Sequence, residues 1–105
     1  MNHIIEQQIV EAIKNRSSVS FTYLEKEARR DIRRAAPHAL FISTAENKNV
    51  DAFQYDGYSK KGGLPAWRQF TVDNIRDLIL LDEHFDIAPG YKPYSDKYKN
   101  YICKV

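Results

Sequence analysis

The stretch Pro37-His38-Ala39-Leu40-Phe41-Ile42-Ser43-Thr44-Ala45-Glu46-Asn47-Lys48-Asn49-Val50-Asp51-Ala52-Phe53-Gln54-Tyr55 decides the fold. Proline has no amide hydrogen to give to a sheet and is tolerated at a strand's first residue, so Pro37 followed by His38 to Ser43 reads as the start of a buried strand. Ala45 to Asn49 has the chemistry of a turn. Val50 to Tyr55 then alternates, with Val50 and Ala52 on one face and Asp51, Phe53 and Tyr55 on the other. Two strands joined by a short polar turn make an antiparallel hairpin, and the rest of the chain is read around it.

Upstream, Ile5, Ile9, Ala12 and Ile13 recur at helical spacing opposite Glu6, Gln7, Glu11 and Lys14, which predicts an amphipathic helix over 3–15 with Asn2 as N-cap. The helix stops at Asn15-Arg16-Ser17-Ser18. Val19, Phe21 and Tyr23 alternate with Ser18, Ser20 and Thr22, a half-buried strand with one hydroxyl-rich face. Lys26 to Arg34 carries charges of both signs and is expected to form a hairpin turn leading into an edge strand around Ile32 to Ala36. Arg29 and Arg30 read as a solvated edge; Arg33 and Arg34 stand evenly between that role and a binding role.

Downstream lies Gly57-Tyr58-Ser59-Lys60-Lys61-Gly62-Gly63-Leu64-Pro65-Ala66-Trp67-Arg68-Gln69-Phe70, a basic, glycine-bearing loop that leads straight into the only Trp of the chain. Trp67 to Val72 alternates as a strand, and Val72 to Ile75 suits one turn of helix. Leu78 to Leu81 is an apolar run of strand length, with a helix through residues 73–85 as the competing reading. In the last part of the chain Tyr94, Tyr98 and Tyr101 fall at helical spacing among lysines, which suggests a helix packed on the domain or on a second subunit, with a nucleic-acid stacking surface as the minor alternative. One helix and five or six short strands joined by hairpins predict a mainly β fold with an N-terminal helix, a small SH3/Sm-like β-barrel.

Composition limits what such a domain does. The 105 residues, 43% hydrophobic and 29% charged, suit one globular unit with one core. A formal net charge of only +2 gives no case for general nucleic-acid binding, so any such case rests on local clusters such as Arg29, Arg30, Arg33 and Arg34. Cys103 is the single cysteine, and His3, His38 and His84 lie too far apart for a zinc-ligand spacing, so neither a disulfide, a metal nor another cofactor is expected. With no secretory pattern and no long apolar run, a cytoplasmic protein is expected.

Several short runs together resemble the WYL domain family in order and approximate spacing. They are Ala12 to Arg16 with Val19 to Tyr23, Arg33 to Leu40, Val50 to Gln54, Gly57-Tyr58-Ser59, and Trp67 to Ile75. The resemblance runs to about Phe85, and implies a WYL-like small barrel over residues 1–85 with a tyrosine-rich tail over residues 86–105. It also implies a ligand-sensing module of the kind fused to winged-helix DNA-binding domains in bacterial transcription regulators, including regulators of phage defence, with nucleotides or nucleic-acid fragments as ligands. Arg33 matches the family's basic residue before the proline, and Arg68 and Phe70 match its Arg-x-Phe strand. The name-giving triplet falls near Lys48-Asn49-Val50, where only the aliphatic third residue is kept. A single N-terminal helix before residue 17 makes no helix-turn-helix, so the expectation is a sensor without its own DNA-binding element.

The candidate ligand-binding residues are therefore Arg33, Arg34, His38, Gln54, Ser59, Trp67, Arg68 and Phe70. Arg68 offers a planar fork for phosphate, Trp67 a face for a base, and Ser59 with its neighbouring glycines hydroxyl and backbone donors. Each has a structural reading beside it: Arg68 capping Asp51 or Asp73, Trp67 as packing, His38 as a satisfied interior histidine. Asp51, Asp56, Asp73 and Asp77 form no paired motif, so no catalytic residue is assigned and binding rather than catalysis is expected. The expected partner is a nucleotide or short single-stranded nucleic acid. The competing reading is a protein-interaction module that docks a regulatory protein or forms a homodimer.

Overall fold

The computed structural model describes residues 3–24, 32–57 and 63–105. Helix α1 (His3–Asn15) is followed by strands β1 (Ser17–Tyr23), β2 (Ile32–Ile42), β3 (Lys48–Gly57), β4 (Ala66–Thr71), β5 (Ile75–His84) and β6 (Tyr101–Lys104). Short 3₁₀ turns occupy Val72–Asn74 and Asp96–Tyr98. The expected N-cap Asn2, the charged turn at Lys26 to Arg30 and most of the glycine loop, including Ser59, lie outside the described residues.

The first helix forms where its apolar spacing places it. Ile9, Ala12 and Ile13 are buried, and Arg16 at φ 53° turns the chain directly into β1. All pairings are antiparallel in the order β4-β3-β2-β1-β5, and β6 joins β2. The fold is thus mainly β with one N-terminal helix, but the sheet does not close into a barrel. Its path ends at β4 and β5, which are linked through the Val72–Asn74 turn and are not paired among the described residues. The gap is bridged in part by the Tyr23 hydroxyl, which accepts the Thr71 amide hydrogen at 2.9 Å.

The expected edge strand at Ile32 to Ala36 and the strand starting at Pro37 are one continuous central strand, flanked by β3 on one side and by β1 and β6 on the other. Pro37 is inside it. The ladder to β3 slips between Pro37 and Ala39, and such a bulge accommodates a residue that cannot donate. Residues 35–41 are all buried because β2 has a core on each face. Ala35 and Leu40 face the main core with Ile9, Phe21, Val50, Phe70 and Ile75; Ala39 and Phe41 face a smaller cluster completed by Tyr98 and Tyr91.

That second cluster corrects the expectation of a tail helix. Residues 86–105 contain only the Asp96–Tyr98 turn and β6, and they lie across the outer face of β2 and β3. The helical spacing of the tyrosines is coincidental, because the chain makes only the short Asp96–Tyr98 turn and Tyr101 belongs to the sheet. Over residues 73–85 the strand reading holds and the competing helix does not form. The expected faces of β3 are observed, with Val50 and Ala52 inward and Asp51 and Phe53 against Tyr98 and Trp67.

Candidate functional site

The tail and β4 enclose a pocket of about 410 Å³ whose walls include Asp51, Trp67, Arg68, Tyr91, Lys92 and Lys97. Its geometry follows from register. Phe53 pairs with Trp67 and Asp51 with Gln69, so these side chains share the outer face that the tail covers.

Three attachments hold the tail in place. The Trp67 indole N–H donates to the Pro89 carbonyl at 2.8 Å, and Tyr91 stacks on the indole at 6.0 Å with an interplanar angle of 23°. Gly90 allows this close approach, since a Cβ there would lie 3.2 Å from the indole nitrogen, on a backbone at φ +87°. Asp51, only 6% exposed, accepts from the Tyr98 hydroxyl and from Lys97 Nζ, both at 2.7 Å on Oδ2. Burial, and then the bond to Asp51, push the Tyr98 phenol far above its ordinary value.

The third attachment is His38, which is fully buried. Its Nδ1 lies 2.7 Å from the Ala36 carbonyl and can only donate there; its Nε2 lies 3.0 Å from the Ala88 amide nitrogen and can only accept. The neutral Nδ1–H tautomer satisfies both. Burial lowers the imidazole's pKa, the Ala36 bond opposes this, and Arg16 adds to the lowering.

The structure separates the sequence candidates into groups. Trp67 and Arg68 line the pocket, and Arg68 Nη1 donates to the Trp67 carbonyl at 2.9 Å. His38 stands behind Trp67, with the two ring centroids 4.8 Å apart. Arg33 and Phe70 meet in the main core, where the guanidinium carbon sits 5.5 Å from the Phe70 ring centre and 5.2 Å from that of Tyr23. Gln54 is buried and donates to the Asp56 carbonyl at 3.1 Å. Arg34 is exposed. Only Trp67 and Arg68 of the described candidates therefore line the pocket.

The sequence reading missed Tyr91, Lys92 and Lys97 as pocket residues, and treated Asp51 only as a partner for Arg68. One signal for Asp51 was present: a carboxylate between Val50 and Ala52 in an apolar strand has to meet a donor when buried.

Chemically, Arg68, Lys92 and Lys97 border the pocket beside two rings that are held rigidly, with Lys97 paired to Asp51. The arrangement suits a flat anion. The fold is an open antiparallel β-sheet with an N-terminal helix, and solved structures resemble it. The chain is similar to the proteasome accessory factor B/C (PafBC) of Arthrobacter aurescens, with a TM-score of 0.66 and 15% identity over 84% of this chain. It spans only 13% of the PafBC chain. No family model and no curated protein sequence matches it.

Proposed function

We propose that this chain is a WYL-like regulatory module, built on an SH3/Sm-like barrel left open between β4 and β5, that senses a nucleotide or short single-stranded nucleic acid. The structural likeness to PafBC is consistent with the WYL-like reading, at low identity. The observation that carries the ligand class is the pocket itself, where Arg68, Lys92 and Lys97 surround an opening walled by Trp67 and Tyr91. A guanidinium takes phosphate in a planar fork, ammonium groups add point charge, and aromatic walls take a base. The walls are tied down by the Trp67–Pro89 bond, so little ordering cost falls on binding. His38 supports these walls from behind through its contacts with Trp67 and Tyr91, while Arg33, Gln54 and Phe70 lie in the interior away from them.

Equilibrium binding of short oligonucleotides to the wild type and to Arg68→Ala tests this. The expected result is weaker binding by the variant and a steep fall with added salt in both. Equal affinity of the two proteins, or a salt-insensitive interaction, refutes the site.

A second reading has its own support. Ile32 and Ile79 are 61% and 59% exposed, and they flank β1 on the outward face, opposite Thr22 and Ser20 respectively. Exposed isoleucines on one sheet face suit a protein partner or a second copy. Sedimentation of wild type and of Ile32→Ser/Ile79→Ser separates this from the leading reading: self-association lost in the variant supports it, and a monomeric wild type that captures no second copy opposes homodimerisation.

A further inference from the structure

The tail carries a second aromatic and cationic surface that the pocket does not use. Tyr94 is 94% exposed and Tyr101 is 54% exposed. Lys104 Nζ stands 5.6 Å from the Tyr94 ring centre and 4.7 Å from that of Tyr101, so the two rings bracket one ammonium group. This trio borders a groove of about 650 Å³ that also takes in Pro93 and Lys99.

The surface is held in position. Tyr101 and Lys104 belong to β6, which pairs with β2 through Phe41↔Tyr101, Leu40↔Cys103 and Ala39↔Lys104. The segment carrying Tyr94 continues into Ser95, whose hydroxyl accepts the Lys97 amide hydrogen at 3.4 Å. Neither exposed ring belongs to the two buried clusters, so packing does not account for them.

The groove also continues the pocket. Ser95 and Tyr98 line both depressions. Along the two together run five cations, Arg68, Lys92, Lys97, Lys99 and Lys104, against two carboxylates, Asp51 and Asp96. Asp51 and Lys97 are paired with each other, which leaves four cations against one carboxylate along the rest of the track. The track is therefore cationic and has aromatic rings at both ends, the arrangement by which single strands are held through phosphate contacts and base stacking.

We propose that the groove bounded by Tyr94, Tyr101 and Lys104 is a second base-stacking subsite, and that the ligand is a single-stranded oligonucleotide of at least two nucleotides rather than a free mononucleotide. This rests on the nucleic-acid reading of the pocket and adds to it a length requirement and a second place for a base, between Tyr94 and Tyr101. A phosphodiester chain leaving the Trp67–Tyr91 pocket passes Lys97 and Lys99 and delivers its next base to the tyrosines flanking Lys104.

The test uses the full chain and two probes, thymidine 5′-monophosphate and a fluorescently labelled single-stranded thymidine hexamer. The wild type is expected to bind the hexamer more tightly than the monophosphate by at least about tenfold, since each stacked base contributes that order of affinity. Tyr94→Ala/Tyr101→Ala is expected to lose at least about tenfold for the hexamer while keeping the wild-type affinity for the monophosphate. Because both rings are exposed, the variant keeps its thermal midpoint, which is measured alongside. Unchanged hexamer binding by the double variant overturns the subsite while leaving the pocket reading intact. Equal affinity of the wild type for the two probes overturns the length requirement. Failure of the wild type to bind either probe overturns the pocket reading and the subsite with it.

Discussion

Acidification is expected to loosen the tail through His38. The neutral imidazole donates from Nδ1 to the Ala36 carbonyl and accepts at Nε2 from the Ala88 amide. A second proton has only Nε2 to occupy, where it would face the Ala88 N–H and turn a hydrogen bond into two opposed donors. It would also bury a cation among Trp67, Phe85 and Tyr91, and the positive charge of Arg16 opposes it further. His38 therefore has a folded-state pKa below its unfolded value of about 6.5, for which burial is the largest cause. Between those two values the unfolded chain binds more protons, so stability is complete above about pH 6.5 and falls as pH drops through that value towards the folded pKa. One such group changes stability by at most about 1.4 kcal/mol per pH unit, hence by no more than about 2 kcal/mol on reaching pH 5. Urea unfolding followed by the fluorescence of Trp67, the single tryptophan, measures this directly in the wild type and in His38→Gln. The wild type is expected to lose stability more steeply than the variant between pH 7 and pH 5. Parallel pH profiles for the two proteins would refute the assignment.

Three further outcomes follow from particular contacts. Tyr98→Phe removes the hydroxyl that donates to Asp51 Oδ2 at 2.7 Å, and a hydrogen bond to a charged group of this kind is worth about 1.5 to 3 kcal/mol, to be read from the urea midpoint. Phe70→Ala empties the ring site against which Phe21 and Tyr23 pack edge-on, each with centroids 5.0 Å away, and should cost about 3 to 5 kcal/mol in thermal or chemical unfolding. Gly57→Ala places a Cβ 2.2 Å from the Ile32 carbonyl oxygen on a backbone at φ +99°; a loss of more than about 1 kcal/mol is expected, and an unchanged midpoint would show that the β2–β3 end relaxes freely.

Periodicity by itself determined a good deal. The apolar face of α1, the alternation of Val19, Phe21 and Tyr23, the turn after Ser43 and the two faces of β3 all formed as their spacing indicated, because each depends on neighbours within one element. Among the site residues, Trp67 and Arg68 were legible as an aromatic and a cation on β4, but strand alternation sets their side chains on opposite faces. The placement of the others was not legible: Phe70 and Arg33 come from different strands and meet across the core, away from the pocket.

What only the tertiary structure decided lies on the outer face of β2 and β3. Periodicity gives the side of a strand on which a residue stands but not what covers that side. The tail covers it, and this one event completes the burial of residues 35–41 and sets Asp51 against Tyr98 and Lys97. It also fixes the tautomer of His38 and brings Lys92 and Lys97 opposite Arg68. The tail's own tyrosine spacing was misleading, since Tyr101 is drawn into the sheet by pairing with β2, a contact made some sixty residues away in the chain by the count between Phe41 and Tyr101. Local pattern thus set the strands, and long-range burial made the pocket.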